Sequence, residues 1–203
     1  MAKLDYKKIL KPLYKPGDEP EMVEVPELNY LMIDGKGDPN TATVYSDAVS
    51  ALYKFAYAIR FYMRDEKGVD FGVMPLEGLW WVENLDLFSY EDKNSWLWTM
   101  MILQPEPVTA EIVETVRPLV IAKHKMPHLE QVRFETYSEG RCAQVMHHGP
   151  YAEERPTIDR LHAFIHQQDC QLHLKHHEIY LNDPNRSAPE KLLTIIRQPV
   201  TKL

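Results

Sequence analysis

The chain has 203 residues and a formal net charge of −7, and 44% of its residues are hydrophobic and 26% charged. This size fits a single domain, or two small ones, with a buried core, and the acidic balance argues against a basic face for nucleic acid or anionic lipid. The sequence has no hydrophobic run near the roughly 20 residues of a transmembrane helix and no secretory signal, and Cys142 and Cys170 are too few for a disulfide scaffold, so we expect a cytoplasmic protein.

The first half of the chain predicts a strand, a helix and two further strands. Residues 28–33 are hydrophobic enough for a strand, and residues 44–64 carry hydrophobic side chains at helical spacing. Residues 74–82 and 96–103 predict two strands. The connection 84–94 joins these two strands, and its polar composition is typical of a mobile loop.

The second half predicts the same order of elements. Strands are expected at 131–137 and 142–147, followed by a helix at 157–168. The strands 176–181 and 192–197 complete the chain. The order strand, helix, strand, strand therefore occurs twice.

The two halves also match weakly in sequence. The segment Ile-Leu-Gln-Pro at 102–105 resembles Ile-Arg-Gln-Pro at 196–199. We therefore interpret the chain as an α+β protein of tandem duplicated strand–helix–strand–strand units with antiparallel sheet, spanning about 25–107 and 131–200. Because each unit alone has few strands, both should pack into one core.

Two further segments complete the predicted organisation. Residues 1–24 are charged and interrupted by prolines, which predicts an N-terminal arm in front of a domain at 25–203. A helix at 109–125, with Thr109 as its N-cap, links the two repeats. Pro118 should kink or shorten this helix.

Glu178 is the first candidate for a site residue. In a strand at 176–181, His176, Glu178 and Tyr180 share one face, while Ile179 shares the other face with His177 and should meet the core or the helix. If the face of Glu178 meets solvent, its carboxylate is only a polar surface group. If that face lines a cleft between the repeats, burial would raise the pKa of Glu178 and make it a general base or a counter-ion for a lipophilic cation.

Aromatic residues supply the other candidates. Glu77 and Trp81 share a face of the strand at 74–82, and Trp80 shares the opposite face. A stacking surface beside a buried carboxylate is how a pocket holds a flat or cationic organic molecule, although both tryptophans also fit an ordinary core. Tyr151, in the turn Gly-Pro-Tyr at 149–151, fits either a cleft mouth or a packed turn.

Histidine and cysteine chemistry is less well supported. His162 and His166 have the i, i+4 spacing of metal ligands on a helix, but they lie on its polar side, which favours a solvated surface. Cys142 begins a predicted strand and nothing in its surroundings suggests a lowered pKa. We therefore predict no metal and no cofactor.

Four segments resemble the GyrI-like (gyrase-inhibitor-like) small-molecule-binding family. They are Val-Pro-Glu-Leu-Asn-Tyr-Leu-Met-Ile-Asp-Gly-Lys-Gly-Asp-Pro at 25–39, Met-Pro-Leu-Glu-Gly-Leu-Trp-Trp at 74–81, His-His-Gly-Pro-Tyr at 147–151 and His-Glu-Ile-Tyr-Leu-Asn-Asp-Pro at 177–184. The closing Lys-Leu-Leu-Thr-Ile-Ile-Arg-Gln-Pro at 191–199 fits as well. The resemblance covers about residues 23–200 and implies a duplicated fold around a central ligand cleft.

The resemblance also implies a function and site residues. It places the family's cleft glutamate on Glu178, its tryptophan on Trp81 or Trp80, and cleft-lining positions on Tyr180 and Tyr151. Members bind planar, often cationic aromatic compounds, and some hydrolyse cyclopropane-bearing DNA-alkylating compounds. In the family's transcription regulators this domain is fused to a DNA-binding domain; the 203 residues resemble only the ligand-binding part, so we expect no direct contact with nucleic acid.

Three functions follow as expectations. The first is a stand-alone protein of bacterial type that binds hydrophobic, planar or cationic aromatic molecules between its repeats, as in multidrug binding or detoxification. The second is a hydrolase in which Glu178 is the general base and Tyr180 or Tyr151 donates to the developing oxyanion. The third is an inhibitor that acts on a partner protein through its acidic surface.

Overall fold

The computed structural model describes residues 3–83 and 93–203. Contacts divide the chain into two compact units. The first unit comprises Met1–Ile9, Leu28–Met74 and Trp80–Tyr137, and the second comprises Leu10–Glu27, Pro75–Leu79 and Ser138–Leu203. Most of the predicted connection 84–94 lies outside the described residues.

Helices and strands follow one another along the chain. The strands are β1 (Lys3–Leu4), β2 (Glu21–Val25), β3 (Leu28–Lys36), β4 (Asp70–Phe71), β5 (Leu76–Trp81), β6 (Leu97–Gln104), β7 (Arg133–Tyr137), β8 (Gly140–His148), β9 (Cys170–Leu172), β10 (His176–Tyr180) and β11 (Leu193–Lys202). The α-helices are α1 (Tyr6–Ile9), α2 (Lys11–Tyr14), α3 (Thr43–Glu66), α4 (Ala110–His124), α5 (His128–Gln131) and α6 (Arg155–Gln167). Short 3₁₀ turns lie at Lys93–Ser95, Tyr151–Glu153 and Pro189–Lys191.

The predicted helices and strands are all present, and the α+β class with antiparallel sheet is confirmed. Helix α4 begins after Thr109, whose side chain accepts a hydrogen bond from the backbone N–H of Ile112. The largest difference is at β11, which was expected to end at residue 197 and continues to Lys202 because its last residues pair with β9. The bounds of the two sequence repeats stay a prediction.

The segment that was expected to be an N-terminal arm contributes to both units. Its strand β2, with the alternating sequence Glu-Met-Val-Glu-Val, pairs antiparallel with β8. Helix α2 buries Leu13 and Tyr14 in the second unit. Three to five residues of alternating character inside a proline-rich segment give too weak a pattern to predict a strand.

The first unit has an antiparallel sheet in the order β6–β3–β7. Helix α3 packs on this sheet and on α4. Its hydrophobic residues recur every three or four positions, and Leu52, Phe55, Ile59 and Met63 are buried. Burying each such side chain contributes about 1.5–3 kcal/mol.

A glycine and a tryptophan form a close cross-strand pair in this sheet. Gly35 of β3 lies directly opposite Trp98 of β6, and a β-carbon at Gly35 would come within 2.0 Å of Cη2 of Trp98. Trp98 is fully buried, and its ring packs edge-on against Tyr45 with centroids 5.3 Å apart. The indole of Trp98 therefore occupies the space that a side chain at position 35 would need, and only glycine leaves this space open.

Replacing Gly35 with alanine should therefore destabilise the protein. We expect Gly35→Ala to lower the free energy of unfolding by about 1–3 kcal/mol, because the added methyl group forces Trp98 to move. Urea unfolding measures the loss. Gly17→Ala is the matched control, since the nearest atom to its β-carbon is 3.9 Å away; equal stability of the two variants would contradict the packing argument.

The second unit has strands in the order β2–β8–β11–β10, and β9 also pairs with β11. The first four residues of β5 belong to this unit and lie next to β10. Helix α6 covers one face of the sheet. On that face Ile158, Leu161 and Ile165 of α6 form a hydrophobic cluster with Val145 of β8 and Ile196 of β11.

Candidate functional site

The two faces of β10 have different surroundings in the second unit. Glu178 is the register partner of Ile196, and paired residues of neighbouring strands point to the same face. Glu178 therefore lies on the face that α6 covers. His177 lies on the other face, with Arg197 as its partner on β11. Ile179, on the face of His177, is fully buried, as expected of a residue that meets the core or the helix, whereas α6 covers the face of Glu178.

Polar side chains cross four strands on the face of His177. His177 pairs with Arg197, Arg197 with Gln144 of β8, and Gln144 with Glu21 of β2. The amide nitrogen of Gln144 donates to a carboxylate oxygen of Glu21 at 2.9 Å. Register alone thus places these groups in one row.

Two carboxylates hold the imidazole ring of His177. Its Nδ1 lies 2.9 Å from Oε1 of Glu139, and its Nε2 lies 3.0 Å from Oε2 of Glu77. The hydroxyl of Tyr14 donates to the other oxygen of Glu77 at 2.6 Å. His177 and both carboxylates are essentially without exposed surface.

Arg197 completes this buried ion cluster, which consists of Glu77, Glu139, His177 and Arg197. The guanidinium contacts Glu139 at 3.3 Å and donates to the backbone carbonyl of Leu13 at 2.6 Å. It also donates to the side-chain oxygen of Gln144 at 3.1 Å. The cluster therefore connects β10, β11, β8, β5 and the N-terminal segment.

The surroundings of His177 and Glu139 shift the pKa values of both groups towards their charged forms. Burial lowers the pKa of His177, but Glu139 and Glu77 outweigh it and raise the pKa to about 9. Burial opposes ionisation of Glu139, yet His177 and Arg197 lower its pKa overall. His177 and Arg197 thus face Glu77 and Glu139 inside the unit, where an unpaired charge would be costly.

The sequence interpretation grouped Glu77 with Trp81 and Glu178 around a ligand. The structure places Glu77 against His177 and Tyr14, and does not bring it together with Glu178. Glu77 is fully buried in the ion cluster, where one of its oxygens meets Tyr14 and the other meets His177. Sequence alternation could not reveal this, since it says which residues share a face and not which neighbour they meet.

His177 should make the stability of the protein depend on pH. Its pKa is about 9 in the fold against 6.5 ordinarily, so its stabilising charge is fully present below about pH 6.5 and is lost as the pH rises through about 9. We expect the free energy of unfolding to fall by on the order of 3 kcal/mol across that range.

Urea unfolding at a series of pH values measures this loss. His177→Gln removes the titrating group and should flatten the profile, whereas His173→Gln, at an exposed position, should leave the wild-type slope. Equal slopes for the wild type and His177→Gln would contradict the assignment.

Glu178 is held by its neighbours on the same strand. Its Oε1 lies 3.1 Å from Nε2 of His176, and its Oε2 accepts a hydrogen bond from the hydroxyl of Tyr180 at 2.7 Å. The Glu154 side chain, directly before α6, also acts to lower the pKa of Glu178. Tyr151 packs edge-on against Tyr180 with centroids 5.5 Å apart. These five residues form the Glu178 site.

The Glu178 site brings together three residues that the sequence singled out and two that it did not. Glu178, Tyr180 and Tyr151 meet as expected, and they are joined by His176 and Glu154. The alternation in β10 already placed His176 on the correct face. Glu154 gave no such signal, because it lies at a helix start whose position over the sheet depends on the fold.

The pKa of Glu178 differs in direction from the expectation. Burial acts to raise it and is the largest single effect, but His176, Glu154 and the hydrogen bond from Tyr180 together outweigh burial and lower the pKa. The expected rise is therefore wrong. Glu178 is an ionised carboxylate at neutral pH, with 14% of its side chain exposed.

Trp80 and Trp81 belong to the first unit. Trp80 is 8% exposed and packs with Tyr45 and Trp96, at centroid distances of 6.1 and 5.8 Å. Trp81 is half-buried. The ordinary core interpretation thus fits Trp80, and the contribution of either residue to a ligand pocket stays a prediction.

A cavity of about 700 Å³ lies elsewhere in the first unit, between α3 and α4. Tyr53, Tyr57 and Phe61 form its aromatic side, with Leu119 opposite. It contains none of the predicted site residues. A cavity that includes Glu178 with Trp80 or Trp81 stays a prediction.

The remaining candidates have no supporting geometry in residues 3–83 and 93–203. No group of three or more His, Cys, Asp or Glu side chains is arranged there to hold a metal ion. Burial raises the pKa of Cys142 well above its usual range, which disfavours the thiolate. In the same residues, no helix combines the length and hydrophobicity needed to span a bilayer.

Comparison with known proteins identifies the family. The family model of the GyrI-like small molecule binding domain matches residues 18–201. Among solved structures, an uncharacterized conserved protein from Listeria innocua is 40% identical with a TM-score of 0.91, and the match covers 98% of this chain and 100% of that one. A hydrolase encoded by lin2189 from Listeria innocua is 39% identical with a TM-score of 0.89 and the same coverage.

A further hydrolase from Listeria innocua is 37% identical with a TM-score of 0.86, and the match covers 98% of this chain and 100% of that one. A search of curated proteins gave no significant match. The resemblance inferred from the sequence motifs is confirmed, and the chain belongs to the family of GyrI-like small molecule binding domains.

Proposed function

We propose that the protein binds hydrophobic, flat or cationic aromatic small molecules and that Glu178 is the charged group of the binding site. The observation that carries the proposal is an ionised carboxylate between tyrosines. Glu178 keeps a lowered pKa although it is largely buried, and Tyr180 and Tyr151 stand beside it. Membership of a small-molecule-binding family supports this assignment.

A carboxylate in this setting favours a cation for a physical reason. Its charge is poorly screened where water is scarce, so it attracts a unit positive charge about 4 Å away more strongly than it would in bulk water. Aromatic rings add attraction through their negative faces. A flat aromatic cation satisfies both, while a neutral molecule of the same shape uses only the rings.

Glu178→Gln should therefore weaken the binding of cations selectively. We expect the affinity for N-methylacridinium to fall by about 2–3 kcal/mol, which is roughly 30- to 140-fold. The neutral isostere 9-methylanthracene should lose almost nothing, because the amide keeps the size of the side chain. Fluorescence titration measures both ligands.

Glu153→Gln, at the exposed neighbouring position, is the matched control and should bind both ligands as the wild type does. Equal losses for the cation and the neutral isostere in Glu178→Gln would mean that the side chain acts by packing or hydrogen bonding and not by charge.

Hydrolysis is a second candidate, because two relatives of nearly the same length and 37–39% identity are described as hydrolases. In a cyclopropane conjugated to a dienone, water attacks the strained carbon while the electron pair of the broken ring bond moves to the ketone oxygen. Glu178 would accept the proton of water, and a tyrosine hydroxyl, of Tyr180 or Tyr151, would donate to the oxyanion.

Incubation with such a compound, followed by mass spectrometry, tests hydrolysis. The product should be heavier by one water, and Glu178→Gln should slow turnover by about 10²–10⁴-fold while the neutral substrate still binds. Tight binding with unchanged compound would exclude hydrolysis of that compound and leave sequestration as the function.

A further inference from the structure

We infer that the exposed face of helix α3 pairs with the same face of a second copy of this chain, so that the protein forms a symmetric dimer. The partner's α3 then occupies the cavity between α3 and α4 of the first unit. This inference goes beyond the proposed function and does not depend on it, because the Glu178 site belongs to the second unit.

A row of exposed aromatic side chains runs along α3. Tyr57 and Phe61 are each 44% exposed, and their ring centroids are 6.2 Å apart. Tyr53 continues the row, with its ring centroid 6.5 Å from that of Tyr57. Leu119 of α4, which is 61% exposed, lines the same cavity. A contiguous hydrophobic surface of this kind marks a site of interaction.

Charged side chains lie at both ends of this row. Lys54 lines the cavity from the N-terminal side of the row, whereas Asp65 and Glu66 line it from the C-terminal side. Lys123 and His124 of α4 also line the cavity, and burial together with the charges of Lys123 and Lys54 lowers the pKa of His124. The exposed face of α3 is therefore basic at one end and acidic at the other.

The basic residues that neighbour the acidic end have partners on this chain. Arg64 is paired with Asp65 at 2.6 Å, and the ammonium of Lys67 lies over the ring of Tyr62. Within residues 3–83 and 93–203, no cation is paired with Glu66. Glu66 is therefore the carboxylate that a second copy can meet.

The aromatic row fits itself when a second copy of α3 runs in the opposite direction. Residues three and four apart share a face of a helix. A two-fold axis at the middle of this face places Ala58 opposite the partner's Phe61, and Tyr57 opposite the partner's Tyr62. A large ring thus enters the space over a small side chain, which is how the surfaces of packed helices interdigitate.

The charges favour the same antiparallel arrangement. Lys54 comes opposite the partner's Glu66, and Glu66 comes opposite the partner's Lys54, because a two-fold interface makes each contact twice. Two parallel copies of α3 would instead bring Lys54 to the partner's Lys54 and Glu66 to the partner's Glu66. Charge complementarity therefore selects a second copy as the occupant and fixes its direction.

The size of the face favours a reversible dimer. From Ser50 to Glu66 the face extends about 24 Å along α3, and it spans two helices of about 10 Å diameter. Two copies would bury on the order of 1,000 Å², which is near the lower limit for a specific interface. We therefore expect monomer and dimer to exchange as the protein concentration changes.

Sedimentation velocity of the full chain at micromolar to millimolar concentrations tests the inference. We expect the wild type to shift from monomer to dimer as its concentration rises. Lys54→Glu and Glu66→Lys should each raise the dissociation constant of the dimer by about tenfold or more, because each brings like charges together at two places. The double variant exchanges the two charges and should recover most of the wild-type affinity.

Glu190→Lys makes the same change of charge at an exposed position of the second unit. It is the matched control and should dimerise as the wild type does. A wild type that stays monomeric at every concentration overturns the inference. A dimer that neither Lys54→Glu nor Glu66→Lys weakens also overturns it, as does a double variant that stays as weak as the single ones.

Carbodiimide crosslinking of mixed ¹⁴N- and ¹⁵N-labelled wild-type chains supplies the second measurement. Lys54 and Glu66 are about 18 Å apart along one α3, which is too far for a direct amide bond within one chain. We expect a Lys54–Glu66 link whose two peptides carry different labels. Crosslinked dimers without this link overturn the inference, and because this measurement needs no substitution, it decides even if a variant fails to fold.

Discussion

The second unit depends on the charge balance around His177. The imidazole ring lies between Glu77 and Glu139, and Arg197 contacts Glu139 from the neighbouring strand. Removing one member of such a buried set costs about 3–5 kcal/mol, because an uncompensated charge remains inside the protein. The cluster therefore determines which strands can be neighbours. The hydrogen bond from Tyr14 to Glu77 also holds this part of the N-terminal segment against the cluster.

The contacts of His177 on one face of β10 determine which side chains lie on the other face. Since consecutive residues of a strand point to opposite faces, anchoring His177 directs His176 and Glu178 towards α6. There the carboxylate of Glu178 meets polar partners on its own strand and at the start of the helix. Burial would normally neutralise a carboxyl group, and these partners keep it ionised. The result is a fixed negative charge beside aromatic rings, which suits the recognition of flat cations.

Local sequence patterns were sufficient to predict elements such as α3 and the faces of β10. The spacing of hydrophobic residues in α3 indicated a helix, and the alternation in β10 indicated that Glu178 and Tyr180 share a face. The family motifs led to the correct family. These features depend on neighbours a few residues away, and the sequence displays such neighbours directly.

Contacts between distant residues could not be predicted in the same way. Tyr14 and Glu77 are 63 residues apart, and Glu139 and His177 are 38 apart. Their meeting depends on strand order and register, and no local pattern encodes these. The expected direction of the pKa shift of Glu178 was wrong for the same reason. The sequence indicated burial but did not reveal the hydrogen-bond donors whose effect outweighs burial.

In the proposed function, Glu178 is the group that meets the charge of a ligand. A crystal structure of the full chain with bound N-methylacridinium tests this most directly. We expect the positively charged ring nitrogen within about 6 Å of the Glu178 carboxylate, a distance at which opposite charges interact strongly. A cation seated in the cavity between α3 and α4, with the Glu178 site empty of ligand, would contradict the claim.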